Sequence, residues 1–153
     1  MSYKKVNAIA LSERVKKAIQ SPESKKVLAT VSRDGVPHAA FKGSLRVTDD
    51  GLLEYYELIE SSQTNKNMVY SLWFGKTVTV NVLDGDESFL IKGVVDRALI
   101  AGGEFEKHYA AVDALLGTDL STVWRIIPQR EQEESFVVRR DAELAAHPIL
   151  QHL

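Results

Sequence analysis

The sequence lacks cysteine altogether: none occurs among its 153 residues. This absence excludes disulfide bonds, iron–sulfur ligation, a thiolate nucleophile and cysteine-ligated zinc. A basic excess is also missing, because 19 Lys and Arg stand against 21 Asp and Glu and give a formal charge of −2. Proteins that hold phosphate backbones usually carry such an excess, so the composition argues against a nucleic-acid partner.

Long hydrophobic runs are missing as well. Charged residues interrupt every apolar run of the first 20 residues, MSYKKVNAIALSERVKKAIQ. Neither a signal-peptide core nor a membrane span is expected, so the sequence predicts a cytoplasmic protein with no membrane partner. The length fits one domain. We place that domain at residues 1–128 and treat residues 129–153 as a C-terminal tail. The tail forms a seventh strand or packs on the domain or on a dimer partner.

What the sequence does contain is a series of short alternating segments separated by Asp-Gly turns. Helices are expected at 11–20, between Ser62 and Gly75, and at 104–116. Strands are expected at 25–32, in a single run that carries Phe41, Leu45 and Val47, and at 52–59, 76–83, 88–100 and 122–128. The last strand should end at Pro128, which has no N–H to donate. This order predicts a mainly β fold with flanking helices, an antiparallel barrel of six to seven strands.

Motifs of catalysis or metal binding are scarce. The four histidines, His38, His108, His147 and His152, form no HxH or HExxH pair, and no GxSxG, P-loop or GxGxxG occurs. No metal site is therefore expected, and no catalytic residue is assigned. His108 falls in the exposed register of the third helix, and Trp73 is expected in the core.

The segment Ser61, Ser62, Gln63 and Thr64 follows a strand and opens a helix. Hydroxyl groups, an amide and free backbone N–H groups gather there, where the helix dipole favours an anion. The spacing alone leaves two interpretations open, a simple helix cap or an anion site, and it favours the cap.

Four segments together resemble a known family. VLATVSRDGVPHAAFKGSLRV, SSQTNKNM, FLIKGVV and GGEFEKHYAAV stand in the order found in the FMN-binding split barrels related to pyridoxamine 5′-phosphate oxidase, and the resemblance spans roughly residues 12–128. The chain is more similar to the small single-domain flavin-binding proteins than to the full oxidase. The resemblance implies a homodimeric split β-barrel with FMN at the subunit interface.

The resemblance also implies positions for the cofactor. By position, the flavin ring would lie along Phe41, Lys42, Gly43 and Ser44, and the phosphate and ribityl chain would reach Ser61, Ser62, Gln63 and Thr64. Trp124 would pack near the ring from the partner chain or lie in the core. One departure stands out, since Gln63 occupies a position where the family usually has Lys or Arg. Cations that could compensate are Lys42, Arg46, Lys66 and Lys92.

The function implied is that of an FMN-binding oxidoreductase that passes electrons or hydride to or from a small-molecule partner. The alternative is a non-catalytic split-barrel dimer, either an electron carrier or a flavin-free binding or sensing module. The neutral side chain of Gln63 adds weight to the flavin-free module, because a charge-assisted bond to phosphate is roughly twice as strong as a neutral one.

Overall fold

The computed structural model describes residues 6–149. Residues 1–5 and 150–153 lie outside the described part, and with them His152 and the end of the expected tail. Over residues 6–149 the chain forms four helices and seven strands. In chain order they are α1 (Glu13–Gln20), β1 (Lys25–Val31), β2 (Pro37–Phe41), β3 (Arg46–Val47), β4 (Leu53–Glu57), α2 (Gln63–Phe74), β5 (Thr77–Asp84), β6 (Glu87–Leu99), α3 (Gly103–Leu116), β7 (Thr122–Glu133) and α4 (Phe136–Ala146).

The strands form one antiparallel sheet in the order β2-β1-β5-β6-β7-β4-β3. This sheet curls into a half-barrel around the core and confirms the predicted mainly β, split-barrel class. One face of β5 buries Val78, Val80 and Val82, as the alternation of the sequence predicts. Helices α1 and α2 pack against the sheet. No helix of the described residues is long and apolar enough to cross a membrane.

The start and end of α2 follow from local chemistry. Ser62 has an extended backbone, and its Oγ accepts a hydrogen bond from the N–H of Asn65 at 3.0 Å. Gly75 ends the helix with a φ of 63°, a left-handed conformation that glycine adopts without strain. The predicted bounds of this helix, Ser62 and Gly75, are confirmed.

The chain between β2 and β4 differs from the single extended run that the sequence predicts. Strand β2 ends at Phe41, and the N–H of Leu45 then donates to the carbonyl of Lys42 at 3.1 Å, which closes a turn. Strand β3 resumes for only two residues. Because of this turn, Leu45 enters the core with 3% exposure, whereas Phe41 keeps 74% of its surface in solvent.

Strand β7 does not end at Pro128, which corrects the sequence prediction. Pro128 faces Gly93 of β6, and the register then shifts so that Lys92 pairs with Arg130. Gln129 is the extra residue of this bulge, and the bulge accommodates a residue that cannot donate to the ladder. A Cβ at Gly93 would lie 2.2 Å from the carbonyl oxygen of Ile127, so the backbones of β6 and β7 approach each other closely at this point.

The expected tail therefore has two parts in the described residues. Its first five residues continue β7, and Phe136–Ala146 forms α4. No residue of α4 is buried within the described structure. The sequence did not predict this helix.

Candidate functional site

The segment expected to hold the ring lines a cleft of about 330 Å³. Phe41, Lys42, Gly43 and Ser44 form one wall of this β2–β4 cleft. The other residues lining it come from the end of β4, the residues that follow it, and α3: Tyr56, Glu57, Leu58, Ile59 and Leu116. Gly43 has no atom within 4 Å of the position that a Cβ would take, so the space beside the backbone is open. The cleft is mostly apolar and has one buried charged group at its end.

That buried charged group is Glu57, which is 2% exposed. Its Oε1 accepts hydrogen bonds from the Nζ of Lys42 at 3.3 Å and from the Oγ of Ser62 at 3.0 Å. Its Oε2 accepts from the backbone N–H of Ile59 at 3.2 Å. Three donors therefore hold this carboxylate, and Lys42 and Glu57 form a largely buried ion pair.

The sequence analysis did not single out Glu57. The signal available was its place in LLEYYELI, where two glutamates interrupt an otherwise apolar and aromatic strand. A charged residue in a buried strand needs a partner, and both glutamates have one here.

The four residues expected at the phosphate are not brought into one site. Ser62 caps α2 and donates its hydroxyl to Glu57, so the structure shows the capping interpretation. Gln63 donates from Nε2 to Oδ1 of Asn67 at 2.8 Å and lines a different groove. Thr64 is buried at 2% exposure, and Ser61 is exposed.

The groove that Gln63 lines has a volume of about 630 Å³ and lies beside the outer face of α2. The guanidinium of Arg33 lies 5.9 Å from the ring centroid of Tyr70 and 6.0 Å from that of Phe74. Trp73 also lines this groove and is 78% exposed, so its expected place in the core is wrong. The reason is helical geometry, because Trp73 lies about 140° around the helix from the buried Met68.

Trp124 lies in the core at 1% exposure. Its Nε1 donates to Oδ1 of Asn65 at 2.8 Å. The core position is one of the two that the resemblance allows, and a contact with a ring remains a prediction.

A second buried carboxylate, Glu54, lies toward the other end of β4 and accepts hydrogen bonds from two arginines. Arg46 donates from Nη2 at 2.5 Å and Arg125 donates from Nε at 2.6 Å. Arg125 also binds the exposed Glu104, and this hydrogen bond lowers the pKa of the Glu104 carboxyl. Arg46, one of the cations expected to compensate for Gln63, is therefore already paired.

His108 belongs to the edge of the same cluster. Its Nδ1 lies 2.9 Å from the hydroxyl of Tyr56, and its Nε2 lies 4.0 Å from Glu54. The side chain is 22% exposed, so the expected solvated position is wrong. The ring packs edge-on against Tyr56, with the two centroids 5.5 Å apart, and this contact removes it from solvent. Tyr56 also lines the β2–β4 cleft.

These positions test whether the cleft suits FMN. The open space at Gly43 and the exposed Phe41 fit a planar apolar ring. No unpaired cation of this set is available to bind the phosphate, since Lys42 is paired with Glu57 and Arg46 with Glu54. Gln63 lines the groove beside α2 instead of the cleft. The cleft residues fit the ring of a flavin and do not fit its phosphate. Among residues 6–149, no group of three or more His, Asp or Glu side chains is arranged to hold a metal ion.

Comparison with known proteins matches no family model and no curated protein sequence. Solved structures do match. An FMN-binding protein from Syntrophomonas wolfei aligns at a TM-score of 0.66 and 14% identity, over 81% of this chain and 86% of that one. A candidate pyridoxamine 5′-phosphate oxidase from Lactobacillus delbrueckii aligns at 0.62 and 19% identity, over 86% and 99%. HutZ, the heme storage protein from Vibrio cholerae, aligns at 0.53 and 15% identity, over 81% and 94%.

At these identities the likeness establishes the fold. The chain has the split-barrel fold of the proteins related to pyridoxamine 5′-phosphate oxidase, and the resemblance drawn from the sequence is confirmed at that level. Proteins with this fold differ in the cofactor named for them, because one is an FMN-binding protein and another stores heme. Function must therefore be argued from the site.

Proposed function

We propose that this split-barrel chain is a homodimeric flavin-binding protein whose β2–β4 cleft receives the flavin ring. The observation that carries the proposal is the open space beside Gly43, in a mostly apolar cleft of about 330 Å³. Backbone groups of Phe41, Lys42 and Ser44 would lie along the ring edge. A bound flavin would supply the redox chemistry, and the protein would position and tune it.

The second face of the sheet supports the homodimer. An antiparallel sheet with one face in water usually alternates apolar and polar residues. Here the face turned away from the core also carries Val27, Ala29, Leu90 and Val94, all half-buried. Some of them line a shallow hollow of about 400 Å³. A second copy of the chain packed on this face would cover these side chains and border the cleft.

Oxidoreductase activity with a small-molecule electron donor is the second candidate. The observation that favours it is the pair of Tyr56 and His108, whose hydroxyl and Nδ1 are 2.9 Å apart beside the cleft. Reduction of a flavin takes up protons, and a histidine paired with a tyrosine hydroxyl beside the ring could pass them. The alternatives are an electron carrier without a substrate and a flavin-free binding module.

An absorption spectrum of the purified protein tests the proposal. The protein is incubated with FMN, with riboflavin and, separately, with hemin, and is then desalted. Retained flavin bands near about 370 and 450 nm support the flavin proposal. If the protein retains hemin and neither flavin, the ligand is heme and the flavin proposal is wrong. If it retains no coloured ligand, the flavin-free binding module is supported.

Two further measurements separate the remaining candidates. Bleaching of the bound flavin by NADH or NADPH supports an oxidoreductase, whereas reduction by dithionite alone supports an electron carrier. Light scattering coupled to size exclusion gives the mass, and a monomer at micromolar concentration contradicts the homodimer.

A further inference from the structure

We propose that Glu57 occupies the place of an anion at the start of α2, so that the β2–β4 cleft selects a flavin without a phosphate. The ligand class is a planar heteroaromatic ring with a neutral hydroxylated chain, for which riboflavin is the probe. This inference rests on the proposed function and deepens it.

The first step concerns the charge that is already present. Glu57 lies directly before the loop that leads into α2, and its Oε1 accepts from the hydroxyl that caps the helix. The first turn of α2 contains no acidic residue of its own. A carboxylate near a helix N-terminus is stabilised by the helix dipole, which is the effect that a bound phosphate would otherwise use.

The second step concerns the cost of adding another anion. The side chains of Lys42 and Glu57 are 14% and 3% exposed, so the charge of Glu57 is poorly screened by water. Like charges repel more strongly in such surroundings than in solvent. Lys42 already balances Glu57, and the ion pair leaves no positive charge there for a phosphate.

The third step concerns other cations. Arg46 is bound to Glu54 at 2.5 Å. Lys66 and Arg33 line the groove beside α2 rather than the β2–β4 cleft. A neutral chain avoids this problem, because its hydroxyl groups can donate to the carboxylate of Glu57, which is an acceptor only. The residues at this end of the cleft therefore suit a polyol better than a phosphate.

The experiment compares riboflavin and FMN by quenching of flavin fluorescence at low salt. The wild-type protein is expected to bind riboflavin at least as tightly as FMN. Glu57→Gln keeps the shape, removes the charge and leaves Lys42 uncompensated. It should shift the preference toward FMN about tenfold, as expected for one additional charge-assisted hydrogen bond from Lys42 to the phosphate.

The matched control is Glu60→Gln, which makes the same chemical change at an exposed residue three positions further on. It should leave the ratio of the two affinities unchanged. If Glu57→Gln does not fold, the ratio of the riboflavin and FMN affinities of the wild-type protein still tests the inference.

Two results would overturn the inference while the proposed function stands. They are a wild-type protein that binds FMN more tightly than riboflavin, and a Glu57→Gln variant with an unchanged ratio. A wild-type protein that binds neither flavin overturns the inference together with the proposed function.

Discussion

The indole N–H of Trp124 donates to the side-chain oxygen of Asn65 at 2.8 Å, and both residues are buried. Asn65 in turn donates from Nδ2 to the carbonyl of Glu60 at 2.8 Å. This chain of hydrogen bonds joins the start of β7 to the loop before α2. The start of α2, and with it the Ser62 hydroxyl that reaches Glu57, is therefore positioned from the core.

Removing that amide should destabilise the protein. Asn65→Ala leaves the buried N–H of Trp124 without an acceptor and frees the loop at Glu60, which we expect to cost about 1–3 kcal/mol in the free energy of unfolding. Urea denaturation followed by tryptophan fluorescence measures the change. Lys66→Ala, at the next and exposed position of the helix, serves as control and should change it by less than about 0.5 kcal/mol. Equal effects of the two variants would show that the hydrogen bond contributes little.

A side chain at Gly93 should be poorly tolerated. Its Cβ would lie 2.2 Å from the carbonyl oxygen of Ile127, which belongs to the neighbouring strand and cannot move without breaking the ladder. We expect Gly93→Ala to cost about 1–3 kcal/mol or more, the range for overpacking. Gly43→Ala is the matched control, since nothing lies within 4 Å of its Cβ position. A Gly93→Ala variant as stable as Gly43→Ala would mean that β7 can shift at this point.

A larger side chain at Gly43 separates binding from folding. Gly43→Val is expected to weaken flavin binding more than it weakens the fold, because the isopropyl group enters the space proposed for the ring. The same protein samples are used for fluorescence titration with riboflavin and for thermal unfolding. Parallel losses in affinity and stability would make Gly43 a structural glycine only.

Ionisation of Asp96 should make a measurable contribution to the pH dependence of the protein's stability. Burial raises the pKa of this carboxyl, and the nearby guanidinium groups of Arg97 and Arg125 oppose the shift without reversing it. A carboxyl whose pKa is higher in the folded state lowers stability once the pH rises through that pKa. Asp96→Asn should therefore raise the melting temperature at pH 7.

The gain from Asp96→Asn should shrink as the pH falls through the raised pKa toward the ordinary value of an aspartate. Melting curves of the variant and the wild type at pH 7 and at about pH 4 give the comparison. Asp86→Asn, in the exposed turn before β6, is the control. A gain that is the same at both pH values would assign the effect to packing rather than to charge.

Much of the fold could be predicted from local patterns. The alternation in β5, the cap at Ser62 and the stop at Gly75 each depend on a few neighbouring residues, and each is confirmed. Pro128 misled the prediction because the bulge that accommodates it forms only through pairing with β6, where Pro128 faces Gly93. The turn after Phe41 likewise depends on which residues β4 brings opposite it.

The candidate site was less predictable for the same reason. Gln63 and Ser62 are adjacent in sequence, but one points along the helix into the groove beside α2 and the other reaches Glu57. Lys42 and Glu57 are 15 positions apart and meet only because β2 and β4 end at the same cleft. The family resemblance pointed to the segment that lines the cleft, but it did not identify the carboxylate that pairs with the lysine of that segment.

The position of β7 has a consequence for how the chain is made. This strand lies between β6 and β4 and joins the β3–β4 pair to the rest of the sheet. During synthesis β4 and β6 both leave the ribosome before β7, the strand with which each of them pairs. Until then each has one edge with unpaired backbone groups. Such edges are templates for pairing with other chains. Both edges lack this partner until Thr122–Glu133 has been made, so the seven-stranded sheet can be completed only after β7 has emerged.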